Sequence, residues 1–434
     1  MSADSQSLPP IPKTDTEVAY DRFVPHQFLE LLGKPSIVDV GLGDHVEKEL
    51  TLLFSDIRDF TTLSESILPA ENFRFINSYL STMEPMVAAN AGIVDKFIGD
   101  GIMALFPGSA DDGVRAGIDM LRQLVTYNMG RARAGYVPIR IGIGVNTGLV
   151  MMGTVGGHNR MDSTVIGDAV NLASRLEGLT KNYGVPLIIS EHTFHSLADR
   201  QQYSIRFLDR LRVKGRYQAQ SVYEVFDADP EPLWVAKKQT KKIFEEALAY
   251  FHMGHPEMAR PLLDECLKVA PDDKAARTYL DRYLEAERSG VLQHAGESVR
   301  EIGWRDEYSV SIGEIDAQHR EMLGRIAELS DQIGRGNPEA EHTLAGLTEF
   351  IRQHFATEEN LMGRYAYPFQ AEHLRQHQTF LRSLDEFKGE VACLAANRLY
   401  LLFRIQLLLV DWQINHTTKS DLHLGHFLLR AGLS

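Results

Sequence analysis

The chain has 434 residues, 44% of them hydrophobic and 24% charged, which is more than one ordinary core holds and divides into two or three globular domains. Its 45 basic against 59 acidic residues leave a net charge of −14, which argues against a nucleic-acid or anionic-membrane surface and favours small molecules and proteins as partners. Cys266 and Cys393 are the two cysteines, too few for a disulfide framework and in keeping with a reducing cytoplasm. No basic-then-apolar leader opens the sequence, and the longest apolar run, Leu399 to Trp412, is broken by Arg404 and Gln406 and is too short to span a bilayer.

In chain order, residues 1 to about 20, with Pro9, Pro10 and Pro12, read as a disordered tail. Residues 21 to 44 form a lead-in with a short helix over Pro25 to Leu32. Glu49 to Ser55 is an apolar, β-compatible run that ends at Asp56. Gly92 to Phe106 reads as two strands joined at Gly99-Asp-Gly101, which puts Asp100 at a hairpin tip. On a neighbouring strand, that tip brings its carboxylate beside Asp56. Glu71 comes too late in the chain for the same task. Two carboxylates held together suit hard divalent ions, which need oxygen ligands; a helix cap at Asp56 and a plain turn residue at Asp100 are the ordinary alternatives.

An amphipathic helix over about 111 to 129 and a strand over Ile139 to Gly148 follow. Gly153-Thr-Val-Gly-Gly157 lacks the lysine and spacing of a P-loop and reads as a hairpin loop. In Val165 to Glu177, Gly167-Asp168 marks a turn and helix N-cap, after which Asn171 and Arg175 fall four apart on one face. An amide that positions an oxygen and a guanidinium that neutralises phosphate suit phosphoryl chemistry; a solvated helix face is the ordinary alternative.

Together with Phe54-Ser-Asp-Ile-Arg-Asp-Phe60 and Val94-Asp-Lys-Phe-Ile-Gly-Asp-Gly-Ile102, these segments resemble the class III nucleotidyl cyclases over residues 45–228. The resemblance implies an α+β domain with a mixed, largely antiparallel sheet flanked by helices. It implies that Asp56, Asp100 and the Ile57 carbonyl bind two Mg2+ or Mn2+ ions, while Asp59 stands where many members carry Gly. Lys96 and Thr164 occupy the purine-reading positions. A lysine donor and a hydroxyl satisfy the N1 acceptor and N6 donor of adenine, whereas guanine presents a donor at N1 that Lys opposes. The expected substrate is therefore ATP and the product cyclic AMP. Thr164 places the chain with a threonine-type subgroup, some members of which respond to bicarbonate. Lys214, in Leu211-Arg-Val-Lys-Gly215, matches a triphosphate contact, Asn171 orients the ribose and Arg175 meets the developing charge. In this family the acidic pair and the Asn/Arg/purine set come from different subunits, which implies a homodimer.

Residues 235–290 are helix-rich. Ala247, Tyr250, Gly254, Ala259, Leu263 and Pro271 match a tetratricopeptide repeat, with Cys266 at a usually small position. A single unit cannot bury both its faces, so it is read as a helical connector, with protein binding as the second reading. From Trp304 histidines cluster: Ile315-Asp-Ala-Gln-His319, His354-Phe-Ala-Thr-Glu358, His373-Leu-Arg-Gln-His377 and His416-Thr-Thr-Lys-Ser-Asp421. Pairs four apart share a helix face, whereas Asp421, five beyond His416, requires a helix end or a local distortion. Imidazole and carboxylate together suit borderline iron. These segments resemble the hemerythrins, all-α four-helix bundles, over residues 300–434. The resemblance implies that His373, His377 and His416 bind one iron, that His319 and His354 bind the other, that Glu358 and Asp421 bridge them, and that O2 or another small ligand takes an open position. His342, His423 and His426 fall outside the pattern as surface or packing residues. The whole reads as a cytoplasmic adenylyl cyclase governed by a diiron domain. An oxygen- or iron-binding protein with a non-catalytic dimerising domain, or a guanylyl cyclase, are the alternatives.

Overall fold

The computed structural model describes residues 26–65, 67–157, 160–212, 219–289, 302–392 and 397–433. The expected disordered tail and Lys214 lie outside the described residues. Two compact units result, one of residues 1–139 with 146–175 and one of residues 140–145 with 176–434. The division runs inside residues 45–228, through one strand and one helix.

In the first unit, α1 (His26–Leu31) precedes β1 (His45–Ile57), followed by α2 (Phe60–Glu65) and α3 (Pro69–Ala89). The hairpin β2 (Ile93–Ile98) and β3 (Gly101–Phe106) leads into α4 (Ala110–Arg133), β4 (Ile141–Gly157), β5 (Arg160–Ile166) and the start of α5 (Asp168–Tyr183). Proline begins α3, where its missing N–H costs nothing, and Ser109 with Asp112 forms a capping box at α4. The strands run in the order β2-β3-β1-β4 with β5 on β4, and β1–β3, β2–β3 and β4–β5 are antiparallel. Phe28, Leu50, Leu52, Met103, Leu105, Met152, Val165 and Ala173 form its core, so the apolar runs legible in the sequence are the buried faces of these elements.

One expectation is corrected here. Gly153–Gly157 is strand, paired from Gly153↔Thr164 to Gly157↔Arg160, and β4 continues well beyond Gly148. A Cβ on Gly153 would lie 2.3 Å from the Asp44 carbonyl oxygen, and Thr154 Oγ1 donates to the Gly41 carbonyl at 2.6 Å. Gly153 therefore serves a close approach of two backbones and not a turn.

In the second unit, the first residues of β4 pair in parallel with β6 (Leu187–Ser190), and β8 (Ala219–Val225) and β7 (Ile205–Arg212) continue antiparallel. Helix α6 (Glu191–Ser196) follows β6 directly. The connector comprises α7 (Glu231–His252), α8 (Pro256–Val269) and α9 (Lys274–Ser289), with Ala247, Ala259, Leu263 and Cys266 buried. It is joined to the sheet by a buried ion network. Arg206 on β7 reaches Glu224 on β8 at 2.6 Å and Asp273 at 2.6 and 2.8 Å, and Lys237 on α7 reaches Glu224 and Asp229 at 2.6 Å each. Every charge in this set is paired, the condition under which buried ions persist. On the bundle side, Asn397 Nδ2 donates to Glu246 Oε1 at 2.7 Å.

The bundle consists of α10 (Gly313–Arg335), α11 (Ala340–Tyr365), α12 (Gln370–Ala392) and a last helix in five pieces. Those pieces are α13 (Arg398–Ile405), a π-helical segment (Gln406–Asp411), α14 (Trp412–His416), a second π-helical segment (Thr417–Asp421) and α15 (Leu422–Arg430). Gln406, Trp412, Thr417 and Leu422 at the junctions keep right-handed helical dihedrals, so the pieces run on as one helix with two widened turns. Met322, Ile326, Leu347, Ile351, Phe380, Leu384, Leu401 and Leu409 are among the residues that fill the core. Mixed sheet with helices, then helical connector and bundle, is the fold class expected. Among the described residues no helix is long and apolar enough to cross a membrane.

Candidate active site and metal centre

The candidate site residues of the first unit fall into three groups. At the end of β1, the Ile57 backbone N–H donates to Asp100 Oδ2 at 3.1 Å, which fixes the hairpin tip beside Asp56. Burial and the adjacent Asp56 carboxyl push Asp100 up to about 7. A half-buried acid whose ionisation is disfavoured by a second carboxyl beside it marks a place prepared for positive charge. Gly99, at φ +65, makes the turn that holds Asp100. Asp59, just beyond, adopts φ +57. An L-residue with a Cβ is disfavoured there by about 1–2 kcal/mol, a physical reason for glycine at this position.

The second group is Lys96 with Thr164. Lys96 Nζ donates to Thr164 Oγ1 at 3.2 Å and to the Ser163 carbonyl at 3.3 Å. It also lies 3.3 Å from Asp95 Oδ2, whose side chain is 1% exposed and whose oxygens have no hydrogen-bond partner. Neighbours in a strand ordinarily face opposite ways; the register shift between Val94 and Lys96 removes that alternation. Asp95 was not singled out from the sequence, because no pattern marks a bulge in advance. The third group is Asn171 and Arg175, exposed one turn apart on α5.

In the bundle, α10 supplies His319, α11 supplies His354 and Glu358, and α12 supplies His373 and His377, while His416 ends α14 and Asp421 ends the second π segment. Two groups form around one shared carboxylate: Glu358 with His373, His377 and His416, and Glu358 and Asp421 with His319 and His354. Asp421 Oδ1 lies 3.1 Å from His373 Nε2 and 3.0 Å from His416 Nε2, and its Oδ2 lies 3.2 Å from His319 Nε2. Glu358 Oε2 is 3.1 Å from His377 Nε2, and Oε1 is 3.5 Å from His354 Nε2. A widened turn places residues five apart on one face, which is how His416 and Asp421 meet.

The Nε2 atoms of all five histidines and all four carboxylate oxygens are buried without a hydrogen-bond partner. Unsatisfied atoms at such density cost too much to persist by themselves, and this donor set of imidazoles and two carboxylates fits borderline metal ions. Burial lowers His354 and His416 to about 4, so both rings are neutral at neutral pH. The second ring nitrogens of His354 and His377 are held from outside. Gln318 Oε1 lies 2.9 Å from His354 Nδ1 and Glu359 Oε1 lies 3.3 Å from His377 Nδ1, the kind of support that fixes ring direction. Trp412 stacks on His416 at 4.4 Å and 13°. Gln318, Glu359 and Trp412 were missed in the sequence, although Gln318 stands next to His319. His423 packs on Tyr367 at 2.6 Å, and His342 and His426 are exposed.

Residues 44–226 match the adenylate and guanylate cyclase catalytic domain, and residues 310–425 match the hemerythrin HHE cation-binding domain. The chain therefore carries a cyclase catalytic domain followed by a hemerythrin domain. It is 43% identical over 213 residues to an adenylate cyclase of Anabaena cylindrica, covering 48% of this chain and 42% of that one. It is 35% identical over 285 residues to the terminal-differentiation-specific adenylate cyclase of Dictyostelium discoideum, covering 64% of this chain and 13% of that one. The chain thus spans less than half the length of either relative. Among solved structures, the adenylyl cyclase CyaB of P. aeruginosa is 33% identical, with a TM-score of 0.38 over 42% of this chain and 96% of that one.

Proposed function

We propose that the chain is an adenylyl cyclase, converting ATP to 3′,5′-cyclic AMP and pyrophosphate, whose output is set by a diiron centre in the C-terminal bundle. The observation that carries the catalytic reading is the pairing of Asp56 with Asp100 at the Ile57 end of β1, on the hairpin that also presents Lys96 to Thr164. In the reaction the ribose 3′-hydroxyl gives up its proton to solvent, its oxygen forms a bond to the α-phosphorus, the bond to the bridging oxygen breaks, and pyrophosphate carries away the electron pair. Asp56, Asp100 and the Ile57 carbonyl would hold a pair of divalent cations, which would supply Lewis acidity to the hydroxyl and charge neutralisation to the triphosphate. Arg175 meets the charge that grows on the phosphate, Asn171 orients the ribose, and Lys214 contacts the triphosphate. Lys96 and Thr164 read adenine, the donor and hydroxyl that its N1 and N6 require. In a homodimer, Asn171, Arg175 and the purine pair of one protomer complete the acidic site of its partner.

His373, His377 and His416 would hold one iron, His319 and His354 the other, with Glu358 and Asp421 between them. Iron there supplies a state that changes with a small ligand such as O2 or with redox potential. The test is to incubate the purified chain with ATP or with GTP in the presence of Mn2+ and identify the product. Cyclic AMP is expected; cyclic GMP, or no cyclic product from iron-loaded and iron-free protein alike, would reject the reading. Dependence of the rate on iron state tests the regulatory half.

A further inference from the structure

We propose that the metal centre acts on helix α5, which carries Asn171 and Arg175, through one line of buried contacts: the Asp411–Arg210 ion pair and the Asp209–Tyr183 hydrogen bond. This rests on the reading above, in which the bundle regulates the cyclase. The line starts at His416, whose ring stacks on Trp412. Trp412 directly follows Asp411, the last residue of the first π segment. Asp411 accepts from Arg210 on β7 in a two-pronged pair, 2.7 Å at both contacts, with side chains 7% and 5% exposed. Gln406 Nε2 steadies the same carboxylate at 3.0 Å. The Arg210 backbone N–H donates to Asp209 Oδ1 at 2.6 Å, and Asp209 Oδ2 accepts from the Tyr183 hydroxyl. Tyr183 is buried and is the last residue of α5. Arg175 lies eight residues earlier on that helix.

Three physical features favour transmission over simple adhesion. A buried, doubly hydrogen-bonded guanidinium–carboxylate pair is directional and follows displacement of either partner. The short α14 is flanked by widened turns on both sides, and such turns accommodate shifts of register that a continuous α-helix resists. A second contact leaves the same place, since Asn415, next to His416, donates to Glu191 Oε2 at 2.9 Å at the start of α6. By contrast, Arg382, on α12, reaches the Ala198 carbonyl at 2.8 Å and has no part in this line.

The experiment uses the full chain, iron-loaded and chelator-stripped, and follows amide hydrogen exchange of residues 176–183 together with the cyclase rate. In the parent protein the two iron states should differ by about fivefold or more, the usual lower range of coupling between sites. Tyr183→Phe keeps the ring stacked with Tyr279 and beneath Arg282 and loses only the hydroxyl. It should bind the same iron, with the same absorption spectrum, while the difference falls below about twofold. Asp411→Asn should do likewise from the other end, and Arg382→Met should leave the response intact. If the parent protein shows no dependence on iron in either readout, the regulatory reading itself fails. If the parent responds and both line variants respond equally, or if Arg382→Met abolishes the response too, the line is overturned while regulation stands. A variant that loses iron is recognised by its spectrum, and the variant at the opposite end then decides.

Discussion

Replacing Lys96 with methionine should cost the fold more than a half-exposed lysine ordinarily does, and the reason is Asp95. Its carboxylate is 1% exposed, and the Lys96 ammonium at 3.3 Å is its recorded counter-charge. Burial raises the Asp95 carboxyl and the lysine lowers it. Without the lysine, the least costly response at pH 7 is to protonate Asp95. From an ordinary carboxyl near 3.9, that costs at most about 4 kcal/mol, at about 1.4 kcal/mol per pH unit. The lysine side chain is 37% exposed, so water screens part of its effect, and about 2–3 kcal/mol is expected. Because the folded carboxyl titrates above the unfolded one, the folded state holds the proton more firmly. The loss is therefore smallest at pH about 4 and grows as pH rises through the folded value. Urea unfolding followed by exchange of β2 amides measures it, and Lys96→Met with Asp95→Asn should recover most of the loss. A loss under about 1 kcal/mol, or no recovery in the double variant, would refute the reasoning. The consequence for function is that any substitution of Lys96 meant to change purine choice must also deal with Asp95.

Arg175→Ala removes an exposed side chain, so circular dichroism should be unchanged while turnover falls by about two to three decades; normal turnover would remove Arg175 from the mechanism. Glu358 belongs to both metal groups and His354 to one. Metal analysis should therefore find Glu358→Ala depleted of both irons and His354→Ala retaining about one; equal retention would contradict the shared bridge. Arg206→Met leaves Asp273 with the Ala276 N–H at 3.3 Å, whereas Glu224 keeps Lys237. A loss of about 3–5 kcal/mol, read from Trp234 fluorescence, should be largely recovered by adding Asp273→Leu; no recovery would mean that the arginine acts by packing alone.

Local spacing made much of both sites legible. His354 with Glu358 and His373 with His377 share a face because a helix turns every 3.6 residues. The interval from His416 to Asp421 does not fit a regular helix, so a helix end or a local distortion was predictable from the sequence, and a π segment is what stands there. Asp100 at a hairpin tip follows from Gly99 and Gly101 between two apolar runs. The tertiary structure decided everything that depends on which surfaces meet. Asp95 joins Lys96 through a bulge, Gly153 is pressed against the backbone at Asp44, Arg206 finds Asp273 across 67 residues and Arg210 finds Asp411 across 201. Periodicity decides which side of its own element a residue occupies. It carries no information about which distant element will cover that side, because that choice minimises exposed apolar area and unpaired charge over the whole chain at once.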